Sequence, residues 1–225
     1  MTGVQTCALP ILIGAFSEQQ RFEQTIKTLL SVKERVPDAV IVLSDCSSLP
    51  LNDNERRTLS GLSDFFIDMS QESTCKQLTD RGMKSQAENV MMFHTLLTLK
   101  NSPQTMQLMN SVKRIFKFSG RSELTDQFKI SDYENLFGKF VFKRRIPTWM
   151  NSPQISHLFI TRLFSMCPSL IDTYLQVIQN NLRLVDMGFD TEHAHFANIP
   201  QQYLVEFDKL NCWGWLAGNG QVEYY

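Results

Sequence analysis

From residue 39 to residue 44 the chain reads AVIVLS without a polar break, then turns polar at once with Asp45, Cys46, Ser47 and Ser48. An apolar run of strand length that does not alternate must bury both of its faces, and a sheet meets that demand when helices cover it on both sides. The flanking segments supply such helices. Ser17 stands where an N-cap belongs, and over residues 18–36 Phe22, Ile26, Leu29, Leu30 and Val32 follow helical spacing until Pro37 and Asp38 end the pattern. LIGAF at 12–16 is read as the strand before that helix, and DFFIDM at 64–69 as a strand after a short helix over 54–63. Strand, helix, strand, helix, strand in that order predicts an α/β fold: a mostly parallel, doubly wound sheet with helices on both faces.

The rest of the chain extends this plan. Residues 77–85 are mostly polar, whereas 85–100 form a strong helix whose Met91, Met92, Leu96 and Leu97 read as core. Helix is expected again over 103–112. RIFKFS at 114–119 reads as a fourth strand closed by Gly120, and 137–142 and 157–160 as further strands with Pro147 and Pro153 in the loop between them. A helix is expected over 169–184, and 213–225 suggests a C-terminal hairpin about Gly218-Asn219-Gly220. With no repeat, low-complexity tract or linker, residues 12–225 are expected to be one domain.

Composition excludes several classes. Hydrophobic residues at 43% and charged residues at 20% suit a globular chain, not a disordered or fibrous one. The net charge of -1 gives no global field toward nucleic acid, so no nucleic-acid partner is expected; the basic stretch 139–145 leaves peripheral membrane contact open. The five cysteines show no CxxC spacing and no Cys/His cluster, which reads as free thiols in a reducing compartment. No apolar run is long enough to span a bilayer and the start lacks a basic n-region, so a cytoplasmic location is expected. Residues 1–11, MTGVQTCALPI, resemble the in-frame translation of a common sequencing adapter. They are therefore set aside with Cys7, and the natural chain is expected to begin upstream, with part of its first strand lost.

In a doubly wound sheet, ligands sit beyond the carboxyl ends of the strands. Three polar clusters fall there: Ser17 to Arg21, Asp45 with Ser47, and Gly120 with Arg121. An acid at the end of the second strand accepts hydrogen bonds from a ribose or a base edge, and an arginine past the fourth grips a diphosphate through paired donors. Equally, Asp45 reads as a cap or turn residue and Arg121 as half of a surface ion pair. No GxGxxG follows the first strand and no GxxxxGK[ST] occurs anywhere, which argues against NAD or ATP held by such loops, and against a methyltransferase using a Gly-rich first loop.

RFEQTIKTLLSVKERVPDAVIVLSD, followed by KSQAENVMMFHTLL at 84–97, resembles the nucleotide-sugar half of the GT-A glycosyltransferases. IFKFSGRSELTDQF at 115–128 is similar to phage and bacterial members with a K-x-S-G-R-Y type sequence, Ser122 replacing the tyrosine. The likeness covers residues 12–130 well and the remainder loosely. It implies transfer of a sugar from a nucleoside diphosphate donor to a carbohydrate acceptor, as in cell-surface or lipopolysaccharide glycan synthesis. Ser17, Arg21, Asp45, Ser47, Lys84 and Arg121 would hold the donor. The family's Asp-x-Asp, which holds a Mn or Mg ion, is missing here; either Glu123 is a lone ligand, or Arg121 and nearby lysines screen the phosphates instead. That absence also keeps a second reading alive, a catalytically inactive relative acting as a binding or assembly protein.

The DTEHAH stretch at 190–195 is the other dense cluster. Two histidines without a third ligand are thin grounds for a metal. The resemblance implies a late acidic residue acting as general base toward the acceptor hydroxyl, which points to Glu192 with His193 or His195 assisting; alternatively Glu192 is a helix-start residue in a capping role. His94 and His157 read as structural. Trp149, Trp213 and Trp215 are candidate sugar-stacking platforms, the latter two equally readable as hairpin packing.

Overall fold

The computed structural model describes residues 2–8 (backbone only), 16–47, 50–148, 150, 155–216 and 220–225. In chain order its elements are β1 (Thr2–Ala8), α1 (Glu18–Arg35), β2 (Ala39–Asp45), α2 (Asp53–Leu62), β3 (Phe65–Asp68), α3 (Ser73–Asp80), α4 (Lys84–Asn101) and α5 (Pro103–Met109). There follow β4 (Ile115–Ser119), β5 (Ser122–Leu124), β6 (Phe140–Lys143), β7 (Ile146–Pro147), β8 (His157–Leu158) and β9 (Leu163–Met166). The chain closes with α6 (Ile171–Asp186), α7 (Thr191–Asn198), β10 (Leu204–Phe207), β11 (Cys212–Trp215) and β12 (Val222–Tyr224).

The main sheet has seven strands in the order β10-β6-β9-β4-β1-β2-β3. Its pairs are parallel except those that β9 makes with β4 and β6. The predicted mostly parallel α/β sheet is therefore what the chain forms, with an antiparallel strand that the sequence reading did not foresee. The apolar run in β2 divides as its continuous hydrophobicity requires. Val42 joins the core beneath α3, α4, α6 and α7, while Ile41 and Leu43 join the core beneath α1. Burying a side chain of this size contributes roughly 1.5–3 kcal/mol, so both faces stabilise the strand.

One expectation is corrected. The first strand was read at 12–16, but residues 12–15 lie outside the described residues and Phe16 is a bend. The strand between β2 and β4 is Thr2–Ala8, within the stretch set aside as adapter-like. A parallel ladder is built from backbone groups, and TGVQTCA, rich in β-branched residues, satisfies it. Residues 73–80, of which 77–80 fall in the stretch read only as mostly polar, are helical as α3, with Glu72 capping the segment by accepting from the Cys75 amide at 2.7 Å. The C-terminal hairpin forms as β11 against β12, and β11 also pairs with β5 in a three-stranded sheet; its tip at 217–219 lies outside the described residues. Trp149 does too.

Candidate functional site

Strands β2, β3, β4 and β6 all end on one edge of the sheet, and polar side chains gather there. Asp45, the last residue of β2, is 2% exposed and accepts from the Ser47 hydroxyl at 2.8 Å and from the Ser47 amide at 3.4 Å. Burial pushes its carboxyl up to about 6, against the Ser47 hydrogen bonds; the nearby Asp68 pushes the same way and Arg21 opposes. Asp68 ends β3 beside Asp45 and is itself bound by Arg56 and by the Ser70 amide at 2.9 Å. The Ser17 hydroxyl caps α1 by accepting from the Gln20 amide at 3.2 Å, while the Gln20 side chain accepts from the Ser17 amide at 2.8 Å. That capping box fixes the first turn of α1, and Arg21 lies within it, directed to the same edge.

A cationic group adjoins Asp45. Arg121, just past β4, is mostly buried and is pushed down to about 10, chiefly by burial, then by Arg162, with Glu88 opposing and Arg21 adding to the shift. Burial, then Arg121 and Arg21, hold the Lys84 ammonium below the usual lysine range. Arg21, Lys84, Arg121 and Arg162 thus crowd one place although like charges repel there. Such crowding persists only where the surrounding fold imposes it. Arg21 is the link: it is within electrostatic reach of both Asp45 and Arg121, so the carboxylate ending β2 and the guanidinium past β4 lie on one edge of the sheet.

Next to the cations is a buried acid pair. Lys117, in the middle of β4 and 4% exposed, bonds Glu88 of α4 at 2.6 Å and the Thr161 carbonyl at 2.8 Å. The Thr161 hydroxyl donates to Glu192 at 3.0 Å. Glu192 is pushed up to about 7, first by burial, then by Glu88 and Asp190, whereas Lys117 holds the Glu88 carboxyl down. The two neighbouring acids are thus pushed in opposite directions, one by burial and the other by its ammonium partner.

Both histidines of the 190–195 stretch are buried on α7. The cap is Asp190, not Glu192: it accepts from the His193 amide at 2.9 Å and also meets the His193 ring. The other His193 ring nitrogen meets the Thr148 hydroxyl, and the residue is fully buried. His195 faces the Tyr174 hydroxyl at 2.8 Å and the Thr191 carbonyl at 2.7 Å, and burial pushes it down to about 4. Among the described residues no group of three or more His, Cys, Asp or Glu is arranged to hold a metal ion. Glu123, on β5, lies opposite Trp213 in the ladder. The described cysteines are free thiols.

Sequence reasoning missed Asp68, Glu88, Lys117, Thr161 and Arg162. Lys117 was findable, since a charge inside the otherwise apolar IFKFS asks for a buried partner.

No protein-family model matches the chain, and no curated protein matches it. Solved structures do resemble it. A glycosyltransferase involved in glycosylation of the major capsid of PBCV-1 matches over 92% of this chain and 81% of its own, at 8% identity and a TM-score of 0.50. Mouse xyloside xylosyltransferase 1 matches over 92% and 84%, at 10% identity and a TM-score of 0.50. Core-mannan synthase A from Aspergillus fumigatus matches over 92% and 73%, at 8% identity and a TM-score of 0.49. What this chain shares with the first two is architecture: it has the GT-A-like α/β fold of a glycosyltransferase.

Proposed function

We propose that this chain is a glycosyltransferase that moves a sugar from a nucleoside diphosphate donor to a carbohydrate acceptor. The observation that carries the reading is the crowding of Arg21, Lys84 and Arg121 beside the buried Asp45 at the carboxyl edge. Cations brought together against their own repulsion suit a polyanion, and an acid with a hydroxyl partner suits the ribose or base attached to it. Asp45 and Ser47 take the nucleoside, Ser17 and Arg21 line its approach, and Lys84 with Arg121 hold the diphosphate. In the transfer the acceptor oxygen bonds to the anomeric carbon and its proton passes to Glu192. The bond from that carbon to the diphosphate breaks, and the leaving group keeps the electron pair. A carboxyl titrating at about 7 is well matched to this proton transfer at neutral pH. His193 touches no reacting atom in this scheme; held between Asp190 and Thr148, it positions the turn that carries Glu192.

A divalent ion in the manner of an Asp-x-Asp enzyme does not fit the residues present. The place after β4 holds Arg121 and the lone Glu123, so guanidinium and ammonium groups supply the screening charge. The missing Asp-x-Asp also favours the second reading, an inactive binding or assembly protein.

Thermal denaturation with UDP, GDP and CDP sugars, each with and without Mn²⁺, separates the two, since a ligand that binds only the folded state raises Tm. At least one nucleotide sugar is expected to raise Tm without Mn²⁺ and to release nucleoside diphosphate over hours. No shift with any of them, or a shift with S-adenosylmethionine instead, defeats the transferase reading; a shift with no turnover moves the chain to the inactive class.

A further inference from the structure

A cleft of about 420 Å³ opens beyond the ends of β6 and β10, lined by Asp126, Lys143, Asp208, Asn211, Tyr224 and Tyr225 among others. None of the residues assigned to the donor or to proton transfer lines it. Its groups are of mixed sign, Asp208 pairing with Arg144 at 3.0 Å on the rim, so it does not select an anion. It offers two carboxylates, two ammonium groups, two side-chain amides and two phenol rings within one concavity. That combination matches a neutral polyhydroxyl ligand: the charged groups pair with hydroxyls, and the ring faces accept the C–H side of a pyranose.

Its position and its continuation sharpen the identity. Tyr225 forms the wall between the cleft and the cationic group. Lys143 lies over its ring at 5.1 Å from the cleft side, and Arg162, neighbour of Arg121, lies over the ring at 5.5 Å. Tyr224, 72% exposed at the mouth, leans toward Trp213 with ring centres 6.4 Å apart. Trp213 in turn stands 4.6 Å from Trp215, both half-buried on the same face of β11. The rings therefore form a single file leading from the cleft mouth along the hairpin. The file, with Trp213 and Trp215 edge to face and Tyr224 tilted against Trp213, is flanked by Glu123 and Lys27, and aromatic surface interrupted by charge suits the mixed C–H and hydroxyl faces of pyranose units better than a membrane.

The backbone is built around this feature. Asn211, at φ 56°, is the one non-glycine in left-handed conformation among the described residues. Its carbonyl accepts from the Thr125 amide at 2.9 Å and hydroxyl at 3.0 Å, and its side chain donates to the Gln127 carbonyl at 3.2 Å. Strain of this kind, held by several hydrogen bonds at a cleft wall, accompanies functional surfaces.

We infer that the cleft and the ring file Tyr224-Trp213-Trp215, whose Trp215 end is joined to the cationic group by its amide on the Arg121 carbonyl at 3.1 Å and by Arg162 on its carbonyl at 2.9 Å, form an extended subsite for the acceptor, an oligosaccharide of several pyranose units. This rests on the transferase reading for the word acceptor, but not for the glycan itself. The test is titration of the full chain with maltohexaose, cellohexaose, chitohexaose and mannohexaose, followed by tryptophan fluorescence and calorimetry, with nucleotide-induced Tm shifts measured on the same samples. At least one hexasaccharide is expected to bind saturably, more tightly than its disaccharide. Tyr224→Ala and Asp208→Ala, both at exposed positions, are expected to weaken it tenfold or more while keeping the wild-type Tm and nucleotide response. Wild-type protein that binds none of the four, or variants that bind as well as wild type, overturn the inference. Glycan binding lost in both variants, in a protein that answers to no nucleotide, upholds the subsite and removes the donor reading; a nucleotide response without glycan binding does the reverse.

Discussion

At the residue scale the chain spends stability on two buried acids. Asp45 has one hydroxyl and one amide as partners, and its carboxyl, pushed up to about 6, is charged at neutral pH at a cost in folding free energy. Replacement by asparagine keeps the acceptor oxygen for Ser47 and removes the buried charge. The raised carboxyl destabilises the fold as pH climbs from about 4 to about 6 and fully above that, so Asp45→Asn is expected to raise Tm at pH 8 by roughly 3–5 °C and to leave it unchanged at pH 3. Hydrogen bonds to a charged acceptor contribute about 1.5–3 kcal/mol, so the same variant is expected to lose nucleotide affinity by about tenfold or more. Calorimetry with the nucleotide that shifts wild type checks both halves; a variant that is less stable at pH 8, or that binds as before, contradicts this account of Asp45. Asp45 was legible in the sequence because it closes an apolar run at a strand end. Glu88 and Thr161 were not, since their significance depends on β4 bringing Lys117 between them.

Among the elements, β5 is the one on which the cationic group depends, because Arg121 leads directly into it. β5 is only Ser122–Leu124, and it is held by β11 through the register Gly214 to Ser122. A Cβ on Gly214 would collide with the Ser122 hydroxyl and lie 2.8 Å from the Arg121 carbonyl oxygen, which is backbone and does not yield easily. Gly214→Ala is therefore expected to force β5 away from β11, costing about 1–3 kcal/mol as an overpacked site and displacing Arg121. In thermal melts this variant should show a lowered Tm and, unlike other variants of equal stability, a weakened nucleotide response. An unaltered Tm would mean that β11 and β5 separate freely. The elements also show where sequence reading reaches its limit. Helices α1 and α4 and strands β2 and β4 announce themselves by long periodic or apolar runs. β9, in contrast, reads LFSM beside a proline-flanked loop, and nothing local says that it enters antiparallel between β4 and β6. That placement is decided by which slot remains in the sheet. The same holds for β1, where a polar stretch fills the centre because a ladder between β2 and β4 requires a strand there.

For the whole molecule, the acids and His195 set opposed demands on pH. His195 is pushed down to about 4 by complete burial, so the unfolded chain binds its proton more readily and stability is lost as pH falls from about 6.5 toward 4. Glu192 is pushed up to about 7, so the folded chain binds that proton more readily and stability is lost as pH rises from about 4.5 through 7. Asp45 acts in the same direction up to about 6. Between about 4.5 and 6 the two tendencies oppose each other, and wild-type Tm is expected to vary little there. Glu192→Gln removes one side of this balance while leaving an oxygen to accept from the Thr161 hydroxyl. In that variant Tm is expected to exceed wild type by about 5 °C at pH 8, to match it near pH 4, and to fall more steeply than wild type on acidification between them. A Tm difference that does not change with pH would show that Glu192 is not held near neutrality by Glu88 and burial. If the difference does follow pH, the same titration should reappear as the acid limb of the pH dependence of transfer, because one proton on Glu192 then governs both stability and the removal of the acceptor proton.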